Sequence, residues 1–250
     1  MKGRKAQVRR RMIERLDNHP EPPPLARLLR GGRGGAVRTK LLLSILWVAA
    51  GEGHDVRFPA RAFASLIDLP KPDTDGARRI LDAYSWLENR KLIAVQSRPG
   101  LASKVTLLEE SGSGADYSIP GAVLKAAGKD ASVDTLNAHR YITLPPAFWT
   151  KGWISVLSGP AVAMLLVLAV EQGGGSAAKE LWFSPGMAKR RYDLSEDTRS
   201  AGVRELADAG LVTILKRNLD PDPFAPRRLR NVYKLDLDQL ERDAAVYPAR

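Results

Sequence analysis

Hydrophobic and polar positions fall into one pattern that occurs twice along the chain. Each occurrence opens on a nearly unbroken apolar run, Leu41–Ala50 (LLLSILWVAA) and Ala161–Val170 (AVAMLLVLAV). Each run is about half of the roughly 20 residues that a membrane-spanning helix needs, so both read as buried core helices. The first run stops at Gly51 and Gly53. A short extended piece, DVRFP, follows, then a helix over ARAFASLIDL and the turn-rich PKPDTDG. A third helix is predicted over Ala77–Leu92, with Ile80, Leu81, Tyr84 and Leu87 on its apolar face. IAVQS and KVTLLEE then flank RPGLA as a β-hairpin. The second run repeats the order: a GGG stop, a short strand in ELWFS, a helix in PGMAKRRYDL, a helix over Ser195–Ala209, and LVTILKR and NVYKLDL around the long loop 218–230.

The two copies align in register. Phe58 matches Phe183, and Asp68-Leu69 matches Asp193-Leu194, at an offset of 125. Beyond the PKPDTDG insertion the offset is 119, and Leu87, Leu92, Ile93 and Val95 match Leu206, Leu211, Val212 and Ile214. A shared order with core positions in register implies an internal structural repeat. The expected organisation is a basic arm and hinge at 1–35, a first domain at 36–110, a linker with at most one weak helix at 111–140, and a second domain at 141–250. In the arm, Val8, Met12 and Leu16 suggest a short helix over Gln7–Leu16, broken by EPPP. RGGRGG reads as a flexible hinge, two RGG units being few for nucleic-acid binding.

Helix, strand, helix, tight turn, helix, hairpin resembles the winged helix-turn-helix fold. The resemblance covers roughly 37–108 and 150–237. Ser195, Thr198, Leu206 and Gly210-Leu211-Val212 are similar in spacing to the recognition helix and first wing strand of many such domains. The implied fold class is α+β, mostly helical: two winged helix-turn-helix domains in tandem behind a basic N-terminal arm. The resemblance extends loosely to bacterial transcriptional regulators and to plasmid replication initiators.

The residues support a reading helix independently. Ser195 is a good N-cap, Glu196-Asp197 suit the positive helix end, and Gly210 suits a left-handed stop. Val203 and Leu206 face inward. Thr198, Arg199, Ala201 and Arg204, with Ser200 at the edge, would face outward toward a major groove, where arginine forks onto guanine. Lys189, Arg190 and Arg191 precede this helix, and Lys216, Arg217, Arg227, Arg228 and Arg230 cluster at the wing, where a duplex backbone would run. The first copy offers fewer cations: Arg78 and Arg79 on its third helix, and Arg98 and Lys104 in its hairpin. Trp86 aligns with Glu205 at an outward position, which suggests a surface for the second domain or for a second copy in a homodimer, or else that both copies bind one duplex.

Charge strengthens this picture. The net charge is +11. Residues 1–40 carry 12 Lys/Arg against 3 Asp/Glu, while the rest carry 27 against 25. Arg9, Arg10 and Arg11 therefore look like an arm that adds electrostatic affinity for a polyanion. There is no cysteine, which excludes disulfides and thiol chemistry and fits a reducing cytoplasm, in nucleoid or plasmid association. The N-terminus lacks a signal-peptide h-region. His19, His54 and His139 are scattered without metal-ligand spacing, and no phosphate loop or paired nucleophile and base occurs, so neither an enzyme, a cofactor nor a metal is expected. Trp149 and Trp153 read as packing residues rather than base-stacking ones. The expectation is a sequence-specific double-stranded DNA binder acting as a transcriptional regulator, without a membrane role. The alternatives are a plasmid or phage initiator on direct repeats, a winged-helix protein scaffold, and RNA binding through the arm.

Overall fold

The computed structural model describes residues 4–15, 20–30, 34–51, 53–173, 179–218 and 228–245, the side chains of Arg98 and Pro185 excepted. The elements in chain order are β1 (Ala6–Arg9), α1 (Arg10–Ile13), α2 (Pro24–Leu29), α3 (Gly35–Val48), β2 (Asp55–Val56), α4 (Ala60–Leu66), α5 (Ala77–Asn89), β3 (Ile93–Arg98) and β4 (Leu101–Leu107). They continue with α6 (Pro120–Ala127), α7 (Val133–His139), β5 (Tyr141–Leu144), α8 (Ala147–Thr150), α9 (Trp153–Val156), α10 (Gly159–Gln172), α11 (Pro185–Tyr192), α12 (Glu196–Asp208), β6 (Val212–Asn218) and β7 (Leu229–Leu235). The fold is α+β and mostly helical, with small antiparallel sheets.

The two apolar runs become α3 and α10, whose side chains are buried on nearly every side, and the helices pack together at the centre of one continuous core. Helices apolar all round belong at such a centre. Polar groups there are satisfied locally: Thr39 and Ser44 donate to the carbonyls of Gly35 and Lys40, one turn back. Trp149 stacks on Trp47 with ring centroids 4.8 Å apart and donates to Ser44 Oγ. Trp153 is fully buried and donates to the carbonyls of Leu240 and Arg242. Both tryptophans are thus packing residues.

The internal repeat is visible strand by strand. In the first copy the sheet order is β2-β4-β3, and Val56, Val105 and Val95 stand in one row. In the second, Leu181 bridges Tyr233 of β7, which faces Ile214 of β6. Val56 to Leu181 is the offset of 125 and Val95 to Ile214 the offset of 119 read from the sequence. The turns agree as well. Asp68 and Asp193 both adopt left-handed backbone, at φ 56° and 51°, just before α5 and α12 are set up. Lys91 occupies at φ 57° the position that Gly210 fills at φ 71°. The short strand expected in ELWFS is reduced to the single bridge at Leu181.

Several expectations are corrected. Residues 1–35 do not form a separate arm where they are described: β1 pairs with β5 from Ala6↔Leu144 to Arg9↔Tyr141, and Val8, Met12, Ile13, Leu25 and Leu28 are buried in the core. The helix expected over Gln7–Leu16 is strand to Arg9 and only a turn of helix thereafter; Leu16 lies outside the described residues. The strand wins because its backbone pairs with β5 while Ala6 and Val8, on one face of it, are buried in the core. Residues 111–140 hold two short helices, α6 and α7, rather than a plain linker. Leu81 is half exposed, so the apolar face of α5 is narrower than its periodicity implied.

The halves are tied by Lys40 of α3, which is buried and donates to the Ser155 carbonyl at 2.9 Å. Burial pushes its ammonium down to about 8, against the attraction of Glu205 and Asp68. A lysine with a folded value below its unfolded one binds fewer protons when folded, so its burial penalty is relieved as pH rises. Relative to Lys40→Met, the wild type should therefore gain stability between about pH 8 and 10, by up to about 3 kcal/mol. Urea titrations of both proteins across that window check this, and parallel curves would refute it.

Candidate nucleic-acid interface

α12 is seated on α10 at a glycine. A Cβ on Gly202 would collide with the Pro160 carbonyl oxygen, so no side chain fits between the helices. Val203 and Leu206 complete the buried face. Ser195 caps the helix, its Oγ accepting from Thr198 N at 3.1 Å. Gly202→Ala is expected to push α12 off α10 and to cost about 1–3 kcal/mol. Thermal unfolding would reveal it, and an unchanged midpoint would contradict this seating. The turn before α12 is held from the N-terminal region: the Asp193 carboxylate pairs with Arg30 at 2.8 Å and Arg15 at 3.4 Å.

The outward face of α12 carries Ser200, Ala201 and Arg204, all exposed, and half-buried Arg199, whose Nε has no hydrogen-bond partner. Lys189 and Arg190 are exposed on the last turn of α11. Lys216 is exposed on β6. Among the described residues, none of Lys189, Arg190, Arg199, Arg204 or Lys216 has an ion-pair partner. Arg228 is exposed at the start of the β7 arm, its backbone N–H bonded to Asn218 Oδ1. Arg227 lies outside the described residues.

Other expected contacts are engaged internally. Arg191 is half-buried and pairs with Glu14 at 2.5 Å and Glu171 at 2.9 Å, beside the Tyr192 hydroxyl that donates to Glu171. It fastens α11 to α1 and α10 and is not free for phosphate. Thr198 Oγ1 is hydrogen-bonded to Ser195 Oγ in the cap. Arg217 pairs with Glu180, which Arg217 and Lys234 hold down to about 2. Arg230 lies over Trp182, 4.3 Å from the ring centroid. Glu205, expected outward, turns in to accept from Ser158 N at 2.7 Å and from Ser158 Oγ.

The cations of the N-terminal region depart furthest from expectation. Arg9 is fully buried and bonds Glu110 at 2.5 Å, with Ser118 O and Oγ at 2.7 and 2.9 Å. Burial pushes the Glu110 carboxyl up, and Arg9 pulls against it. Arg10 pairs with Glu14 at 2.7 Å, and Arg11 lies 3.9 Å from Glu109. These three arginines build the fold, and Arg9 is closed to DNA. Sequence charge counts cannot separate a solvated cation from one consumed by a carboxylate 100 residues away.

In the first copy, Arg78 pairs with Asp75 at 3.4 Å, Arg79 is exposed without an ion-pair partner among the described residues, and Lys104 pairs with Asp55. Trp86 is not the open aromatic surface expected of it. The ring is half-buried beneath two guanidiniums, Arg38 at 4.6 Å and Arg90 at 4.8 Å from its centroid. Nothing in the sequence singles out either arginine, because no local motif brings the first turn of α3 to the end of α5.

No group of three or more His, Asp or Glu side chains among the described residues is arranged to hold a metal ion. No helix among them is long and apolar enough to cross a membrane. No protein-family model, curated protein or solved structure matches the chain.

Proposed function

We propose that the chain is a tandem winged-helix protein that binds double-stranded DNA, its second half reading sequence through the outer face of α12. One observation carries this reading: Lys189, Arg190, Arg204 and Lys216 are exposed around that helix without an ion-pair partner among the described residues, while Arg191 and Arg217 beside them are consumed in ion pairs. Unpaired cations flanking a helix supported from beneath suit the phosphates on either side of a major groove, with Arg199 and Arg204 at base edges. The wing hairpin β6-β7 stands beside the helix, as a backbone-gripping wing would. By this mechanism occupancy of a site blocks or recruits other proteins, which makes the chain a transcriptional regulator.

A second reading, a replication initiator, draws on the single core shared by both copies. Two third helices held at fixed spacing in one chain suit a long site or tandem direct repeats without dimerisation. An inverted repeat would favour a symmetric regulator instead. The homodimer through Trp86 loses its motivation, since two guanidiniums cover the ring.

Salt titration of binding to a labelled random-sequence duplex tests the electrostatic part. Four to six phosphate contacts predict a slope of log K against log salt of about −4 to −5. Absence of duplex binding at low salt would overturn the proposal and leave the scaffold reading.

A further inference from the structure

The buried residues of α12, Gly202, Val203 and Leu206, all lie in its second half. Packing on α10 therefore fixes the trailing part of the helix and not its leading end, where Thr198 and Arg199 stand. That end meets α2 across a cavity of about 540 Å³, with Ala26, Leu29 and Arg30 on one wall and Ser195, Thr198 and Arg199 on the other. Polar groups span the gap that packing leaves open. The Asp193 carboxylate takes Arg30 at 2.8 Å and Arg15 at 3.4 Å, and Arg30 also donates to the Asp193 carbonyl at 3.2 Å. The Arg15 amide donates to the Arg191 carbonyl at 2.7 Å. Asp193 is itself left-handed, so the turn into α12 runs through the clamped residue. The same device serves the first half. Ser155, just before α10, donates through Oγ to the Leu66 carbonyl at 3.0 Å, and Leu66 is the counterpart of Arg191 at the offset of 125. Each half's turn is thus held by the segment that leads into the other half's core helix.

We propose that Arg15 and Arg30 are positioning residues for base reading: through Asp193 they fix the leading end of α12, and Arg199 with it, against the duplex. The inference rests on the reading of duplex DNA by α12. It gives the N-terminal region a part in specificity rather than in electrostatic affinity, because both guanidiniums are turned to Asp193. An arginine fork recognises guanine only within hydrogen-bond tolerance, so a small swing of the helix end costs discrimination. Attraction to the phosphates acts over a longer range and survives the same swing.

The test compares full-length wild type, D193N and R15Q/R30Q on a duplex selected by the wild type and on a random-sequence duplex, with thermal unfolding of each. Asparagine tolerates left-handed backbone, so D193N removes the charge and keeps the turn. The two variants move net charge in opposite directions. Affinity for random duplex should follow charge, holding or rising in D193N and falling in R15Q/R30Q. The ratio of selected to random affinity should fall in both, by about 5-fold or more, the low end of what one base contact discriminates. A merely structural loss lowers the folded fraction alike for both duplexes and leaves this ratio unmoved, so an unchanged ratio in either variant would overturn the proposal. Amide exchange of the free proteins is the second readout. It should quicken over the first turn of α12 in D193N and stay as in wild type across β6 and β7. Unchanged exchange at that turn would overturn the positioning role whatever the DNA result. Failure of the α12 reading shows separately, as a wild type that enriches no sequence, and the exchange measurement still decides the clamp.

Discussion

Arg9→Met is expected to destabilise the protein by about 3–5 kcal/mol, the cost of stranding a buried charge. Arg9 is fully buried, and its guanidinium meets Glu110 and Ser118 while its backbone N–H donates to the other Glu110 oxygen at 2.9 Å. Its ring neighbour is Tyr117, 5.3 Å away. Without the guanidinium, Glu110 keeps only backbone amides, those of Arg9 and of Glu110 itself, and burial already pushes its carboxyl up. A carboxyl with a raised folded value is destabilising above the unfolded value of about 4.3 and harmless below it. The difference between wild type and Arg9→Met should therefore shrink as pH falls toward about 4.3. Adding Glu110→Leu should recover much of the loss, because an apolar pair replaces a buried ion pair at little cost. Urea unfolding of the single and double variants decides it. A loss below about 1 kcal/mol would mean that Arg9 is solvated after all, as a DNA-binding arm requires.

The second large effect concerns binding. Arg199→Ala with Arg204→Ala should remove about 1–3 kcal/mol of discrimination per base contact, hence at least about 30-fold in affinity for a selected site. Affinity for random duplex should fall far less, since the flanking cations Lys189, Arg190 and Lys216 remain. Neither side chain has an ion-pair partner among the described residues, so the unfolding midpoint should move little. Equal losses on selected and random duplex would assign both arginines to phosphate and leave base reading without a residue to perform it.

The elements that the sequence made legible are those fixed by local rules. The two all-apolar helices, the Ser195 cap, the left-handed stop at Gly210, and both register offsets follow from periodicity and turn chemistry within a few residues. What escaped depends on partners far apart in the chain. β1 is four residues long and finds β5 more than 130 positions away, so no window of sequence distinguishes it from a helical start. Its arginines look like a polyanion-binding arm until Glu110 and Glu14 are brought beside them. The reversal at Trp86 and Glu205 has the same origin. Both lie at an outward angle on their helices, and only the neighbouring helix start decides whether that position faces water, an arginine pair or a serine cap.

The most direct measurement is a binding selection from a random-sequence duplex library with the full-length protein at near-physiological salt. Reading through α12 predicts enrichment of one motif with guanine at the positions set by Arg199 and Arg204, and its disappearance when R199A/R204A replaces the wild type. A library that emerges unenriched despite tight binding at low salt would contradict it: the basic surface would then hold DNA, and α12 would read nothing.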